Sequence, residues 1–257
     1  MEKILSKKNI RVKQWKKLLT KKGRTFENAY LIEGNHLVEE AVKHQASVRE
    51  YLVSEKVEKE QIEKLPSDQV VVISEEIAQS ISDTPTNQGI FAVINIQKKQ
   101  MPKKIEKPYL FLDSVQDPGN VGTMIRTADA AGFAGIVLGE GTADLYNSKV
   151  LRSAQGSHFH FPVFQDNLKE WITWFDEKKV PVYGTELNPQ AVPINKISKQ
   201  RSFGLIVGNE GKGMDKKLLK QTTKNIYIPI LGKAESLNVA VAAGILMFAL
   251  YDEESSK

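Results

Sequence analysis

Five apolar runs in the second half of the chain constrain its fold more than any other feature: YLFLD (109–113), GIVLG (135–139), VPVYGTEL (180–187), FGLIVGNE (203–210) and NIYIPI (225–230). Each runs out near Gly, Asn, Asp or Pro, and none shows the in–out alternation of a half-exposed strand. Uninterrupted runs suit a sheet buried on both faces, so an α/β domain with a mainly parallel sheet and helices on both faces is predicted. Ligands of such sheets collect outside the carboxyl ends of the strands.

The first half repeats the α/β logic with weaker strands. YLIE, VREYLVS, VVVI and GIFAVINI read as strands, and 37–43, 57–65 and 75–81 as helices between them. QKKQMPKKIEKP (97–108), with five Lys and two Pro, reads as a linker. The predicted organisation is a basic helical arm over 1–24, a smaller α/β domain over 25–97, a linker over 98–108 and the main domain over 109–257.

The arm holds ten basic residues against Glu2 alone, a net of +9, although the whole 257-residue chain carries only +5. A basic arm on a slightly acidic body is the distribution expected where one segment must find polyphosphate. Val12, Trp15 and Leu19 would give this arm one apolar helical stripe. The absence of cysteine excludes disulfides, Cys-ligated metals and thiolate catalysis, and fits a reducing cytoplasm. The longest apolar run, Val239 to Leu250, is too short to cross a bilayer.

Three loops at strand ends could carry chemistry. In DSVQDPGNVGTMIRTADAAGF (113–133), Asp117-Pro118-Gly119 reads as a turn and Asn120 as the cap of a helix from Val121. Gly122 and Arg126, four apart, share a helix face, which sets a guanidinium one turn behind free N–H groups and makes an anion site. In LIVGNEGKGM (205–214), three glycines and Asn209 let backbone approach a flat ligand, and Glu210 could fix a substrate or a facing Arg. Walker spacing and G-x-G-x-x-G are both absent. In IPILGKAESLNVAVAAGILMFAL (228–250), Ser236 or Asn238 caps a helix that is apolar all round, so complete burial is expected, within the domain or against a second subunit.

PGNVGTMIRTADAAGF, LIVGNEGKGM and IPILGKAESLNVAVAAG, in this order and at these intervals, resemble the three motifs of the SpoU-type RNA ribose 2′-O-methyltransferases of the SPOUT class. The stretch from Arg24 through FENAYLIEGNHLVEEAV is similar to that family's accessory RNA-binding domain. The resemblance implies a trefoil-knotted methyltransferase domain, S-adenosylmethionine as cofactor, a homodimer formed through the C-terminal domain, and structured RNA, ribosomal in the first instance, as substrate. It implies no metal. Cofactor contacts would fall on Gly208, Ile228 and Leu237, with Thr185, Asn209 and Ile230 beside them, and catalysis on Asn120, Arg126, Glu210, Ser236 and Asn238. A guanidinium is a very weak acid that seldom yields its proton. Arg126 is therefore expected to stabilise a developing alkoxide and grip the adjacent phosphate. Asn120 and Asn238 would orient Arg126 and the ribose, and Glu210 would fix the loop or Arg126.

One segment departs from the family pattern. SAQGSHFHFPVF (153–164) carries His158 and His160 at strand spacing, for which packing is a better reading than a metal site. A Rossmann-type methyltransferase would need a Gly-rich loop after its first strand, which YLFLDSVQDPG does not supply. A transfer-RNA methyltransferase, or a non-enzymatic RNA-binding protein on the same scaffold, would carry a basic arm of this kind equally well.

Overall fold

The structure is a computed structural model that describes residues 2–252. In chain order its first elements are β1 (Glu2–Ile4), α1 (Ile10–Lys17), α2 (Lys21–Glu27), β2 (Ala29–Glu33), α3 (Asn35–Lys43), β3 (Val48–Ser54), α4 (Lys59–Glu63), β4 (Val70–Ile73), α5 (Glu75–Ile81) and β5 (Ile90–Asn95). There follow β6 (Tyr109–Leu112), α6 (Pro118–Ala130), β7 (Gly135–Leu138), α7 (Ser148–Ala154), β8 (Val163–Gln165), α8 (Leu168–Glu177), β9 (Val182–Thr185) and β10 (Val192–Pro193). The chain continues through β11 (Gly204–Val207), α9 (Lys216–Leu219), β12 (Lys224–Tyr227) and α10 (Val239–Leu250).

Two compact units result, and their boundary differs from the one expected. Residues 146–160 leave the second unit and pack with residues 2–97, while residues 98–108 belong with the second unit. The expected linker is anchored there: Met101 and Ile105 pack on the second unit's core, and Lys99 Nζ donates to the Phe161 carbonyl at 3.2 Å.

The first unit has a mixed sheet in the order β1-β4-β3-β5-β2, with β5 antiparallel to both of its neighbours. One face is covered by Val12, Trp15 and Leu18 of the arm together with Ile77, Ala78 and Ile81 of α5. The other face is covered by Leu37, Val38 and Ala41 of α3, with Leu151 of the excursion packed beside them. The arm is thus part of this unit's core, and it is two helices instead of one. The first helix ends at Lys17 and tightens to i→i+3 bonds at Leu18 and Leu19, so the buried stripe continues through Leu18 while Leu19 is 41% exposed, and Thr20 then caps α2 by accepting from Gly23 N at 3.1 Å. Arg24 is buried and donates to the Leu18 carbonyl at 2.8 Å, and Arg11 is bonded to Glu2 and Glu50.

The second unit is the parallel sheet that the apolar runs imply, in the order β10-β12-β9-β11-β6-β7-β8, with every pairing parallel. Trp171, Ile172 and Phe175 of α8 cover one face against Tyr109, Phe111 and Val137. On α10, Ala243, Leu246, Met247 and Leu250 are buried and the helix packs against α6. Val241, Ile245 and Phe248 of the same helix are exposed, so the complete burial expected of α10 does not occur within this chain. No helix among the described residues is long and apolar enough to cross a membrane.

Candidate active site

The three loops leave strands within the β12-β9-β11-β6 stretch of the second sheet: 113–117 follows β6, 208–215 follows β11, and 228–238 follows β12. Thr185 closes β9, between β12 and β11, where its N–H points to Met214 Sδ at 3.1 Å. The expected cofactor positions therefore all lie at or beyond the carboxyl ends of three adjacent strands, as the rule for such sheets requires.

Local sequence explains where the helices begin. Asp117, not Asn120, caps α6: its Oδ1 accepts from Asn120 N at 2.9 Å, and Pro118 fills the first helical position, where a missing N–H costs nothing. Asn120 is thereby inside the first turn with its side chain released from capping. Asn238 caps α10, accepting from Ala240 N at 2.9 Å and Val241 N at 3.3 Å. Ser236 is exposed and makes no hydrogen bond among the described residues.

A polar network joins the three loops. Asn238 Nδ2 donates to Asn120 Oδ1 at 3.0 Å, and Asn120 Nδ2 donates to Glu210 Oε1 at 3.1 Å. The Glu210 carboxylate also accepts from Gln116 N at 3.2 Å and Asp117 N at 3.1 Å. Burial alone would raise its pKa, but the hydrogen bonds from Asn120 and from backbone N–H groups outweigh that and hold it below the usual carboxylate range. Glu210 therefore fixes the loop and Asn120, and it is not bonded to Arg126. Arg126 lies six residues farther along α6, about 9 Å up the axis at 1.5 Å per residue. Its side chain is exposed, with no hydrogen bond or ion pair among the described residues.

Sequence reasoning missed the clamps beneath this network. Asn209 Nδ2 donates to the Ser114 carbonyl at 2.8 Å, while its Oδ1 accepts from Gly211 N and Lys212 N, both at 3.0 Å. The buried Asp113 accepts from Asp215 N at 2.6 Å. Gly208 is a packing glycine: a Cβ there would lie 2.4 Å from Gly213 C and Met214 N, so a side chain would strike the loop's own backbone instead of a ligand. The Asp-Pro pair was a usable signal for the α6 cap; no local signal marks the Asn209 clamp.

For the cofactor, the telling feature is the 228–237 segment. Its backbone makes no hydrogen bond among the described residues, and Leu231 is 99% exposed. A run of unused N–H and C=O groups, with Gly232 open to space, offers both donors and acceptors to a heterocycle without side-chain obstruction. The residues thus fit an adenosine-bearing ligand.

Comparisons agree with this architecture. The profile of the SpoU rRNA methylase family matches residues 107–248, and that of the MRM3-like substrate binding domain matches residues 9–92. The chain is 49% identical over 255 residues, covering 97% of itself and 99% of the relative, to the 23S rRNA (guanosine(2553)-2'-O)-methyltransferase RlmP of Bacillus subtilis. It is 32% identical to an uncharacterized tRNA/rRNA methyltransferase of Synechocystis, over 95% of this chain and 92% of that one. Among solved structures, the AdoMet-bound rRNA methyltransferase of Sinorhizobium meliloti superposes with a TM-score of 0.87 at 29% identity, covering 97% of each chain. The chain belongs to the SpoU rRNA methylase family.

Proposed function

We propose that this protein methylates the ribose 2′-hydroxyl of a guanosine in 23S ribosomal RNA, using S-adenosylmethionine. The observation that carries the reading is the Glu210–Asn120–Asn238 network beside the unbonded 228–237 backbone, in a chain nearly half identical to an enzyme named for that reaction.

S-adenosylmethionine, when bound, supplies an electrophilic methyl group on a sulfonium. Gly208, Asn209, Ile228, Ile230 and Leu237 would hold it through backbone groups, with Thr185 at the floor. Methyl transfer would leave the ribose oxygen bonded to carbon in place of its proton, which would pass to solvent water. The Arg126 guanidinium stabilises the charge that develops on that oxygen, while gripping the neighbouring phosphate. Asn120, pinned at both ends of its amide, presents a fixed edge to the ribose, Glu210 keeps the loop in place, and the exposed Ser236 hydroxyl is open to substrate.

The same reading includes the family's threaded knot and a homodimer. Val241, Ile245 and Phe248 form one exposed stripe of α10, at the spacing of a packing face. Covering it with a second copy would contribute roughly 1.5–3 kcal/mol per fully buried side chain. Phe248→Glu should turn a dimer into a monomer in sedimentation; a wild-type monomer would remove the dimer from the proposal.

Mapping ribose methylations in total RNA from cells with and without the gene tests the function. Loss of a single 23S guanosine methylation is expected. Loss confined to transfer RNA would overturn the substrate, and no loss would favour a non-enzymatic RNA-binding protein. A target RNA with one 2′-deoxy substitution should bind and accept no methyl.

A further inference from the structure

All four histidines of the chain lie in the first unit: His36 and His44 on or at the end of α3, His158 and His160 in the excursion. The expected pairing of the last two on a strand face does not occur. Ser157–Phe159 is a 3-10 turn, with His158 buried and His160 exposed beyond it. Instead, His160 meets α3. Its ring centroid is 4.3 Å from that of His44, and His44 Nε2 is 3.2 Å from Glu40 Oε2, one helical turn back. One ligand atom from each of Glu40, His44 and His160 lies within 4.8 Å of the other two.

We propose that Glu40, His44 and His160 form a site for a divalent transition metal, with zinc as the fitting ion, which fastens the 146–160 excursion onto α3. Two imidazoles and one carboxylate are a zinc donor set, whereas calcium and magnesium call for oxygen alone. At Zn–N and Zn–O lengths near 2.1 Å, tetrahedral ligands stand about 3.4 Å apart. The present spacing therefore needs only a modest closing movement, available to the exposed His160. The excursion is already held where the site requires it: Gly156, at φ +89°, runs so near the Glu40 stem that an added Cβ would lie 2.9 Å from Glu40 Cβ and Cγ. Lys43 Nζ now stands 2.9 Å from Glu40 Oε1 and supplies the positive charge that a metal would replace. Three protein ligands leave a fourth position for water, which makes the ion exchangeable.

The test is calorimetric titration of zinc into untagged, chelator-treated full-length protein. One zinc per chain is expected, with affinity weakened at least tenfold by His160→Ala and again by His44→Gln. Zinc should also slow proteolysis within 146–160 in the wild type and fail to do so in His160→Ala. Absence of stoichiometric binding, or binding and protection indifferent to His160→Ala, would overturn the proposal. Several weak sites per chain would do the same, since they would mark scattered surface carboxylates.

Discussion

The strand-end loops and the N-terminal arm are both dense in polar residues, and they use them in opposite ways. In the loops each amide works at both ends: Asn120 bonds Asn238 and Glu210, Asn238 also caps α10, and Asn209 joins its own loop to Ser114. In the arm, Arg11 and Arg24 are built into the unit, Lys7 reaches Glu76 at 3.5 Å, and the other lysines are exposed or half-exposed. The loops are therefore a coupled device and the arm a sum of separate charges. Substitutions should add in the arm and interact in the loops.

Arg126 is the sharpest exception to coupling within the site, since its side chain is exposed and bonded to nothing among the described residues. Arg126→Ala should leave fold and cofactor affinity intact and lower single-turnover methyl transfer by about a hundredfold to a thousandfold, the usual cost of losing one charge-stabilising donor. Arg126→Lys should recover little, because an ammonium cannot reproduce the planar fork. Near-normal transfer by Arg126→Ala would end its assignment. Gly208→Val comes next, with a different signature. The side chain must displace the backbone of residues 213–214, so the thermal midpoint should drop by the equivalent of about 1–3 kcal/mol, and cofactor binding should fail with it. An unchanged midpoint with lost binding would instead set the added side chain against the ligand and not against the loop backbone.

What the sequence disclosed follows the range of the interaction involved. β3, β4 and α5 match the pattern reading to the residue, because each is set by its own periodicity and flanking turn residues. β1, β8 and β10 escaped it, being two- or three-residue edge or near-edge strands with no period to detect. The arm's stripe slipped from Leu19 to Leu18 because α1 ends at Lys17 and the chain tightens to i→i+3 bonds at Leu18 and Leu19. Asn238 as a cap was legible from its neighbours, whereas its bond to Asn120 spans 118 positions of sequence and has no local trace. The 146–160 excursion was invisible for the same reason: its partners are in the first hundred residues.

The difference between loops and arm can be measured directly with two double-mutant cycles. Asn120→Ala combined with Glu210→Gln should depart from additivity in methyl transfer by about 0.5–3 kcal/mol, as expected for groups sharing hydrogen bonds. Lys13→Ala combined with Lys21→Ala should weaken RNA binding additively and flatten the log–log salt dependence by roughly one unit for each phosphate left without its lysine. Deleting residues 1–24 cannot serve here, because it removes Val12, Trp15 and Leu18 from the core. An unaltered salt slope in the lysine variants would make the arm a solvated helix face, and strong coupling between them would erase the distinction from the loops.

The smallest expected effect separates the two regions by pH. Glu210 is held below the ordinary carboxylate range by the hydrogen bonds that outweigh its burial. An unfolded Glu titrates near about 4.3, so the folded value lies lower. Stability from this carboxylate is fully present above the unfolded value and is lost as pH falls through the folded one. Wild-type thermal midpoints should therefore decline more steeply than those of Glu210→Gln between about pH 5 and pH 3, with the gap between the two curves constant above that window. Solvent screening at this exposed group keeps the difference below about 1 kcal/mol. Lys13→Ala and Lys21→Ala leave every carboxylate of the loop network in place, so they should run parallel to wild type. If Glu210→Gln also runs parallel, the loop network does not depend on the charge of Glu210, and the coupling in the Asn120 cycle must come from shape alone.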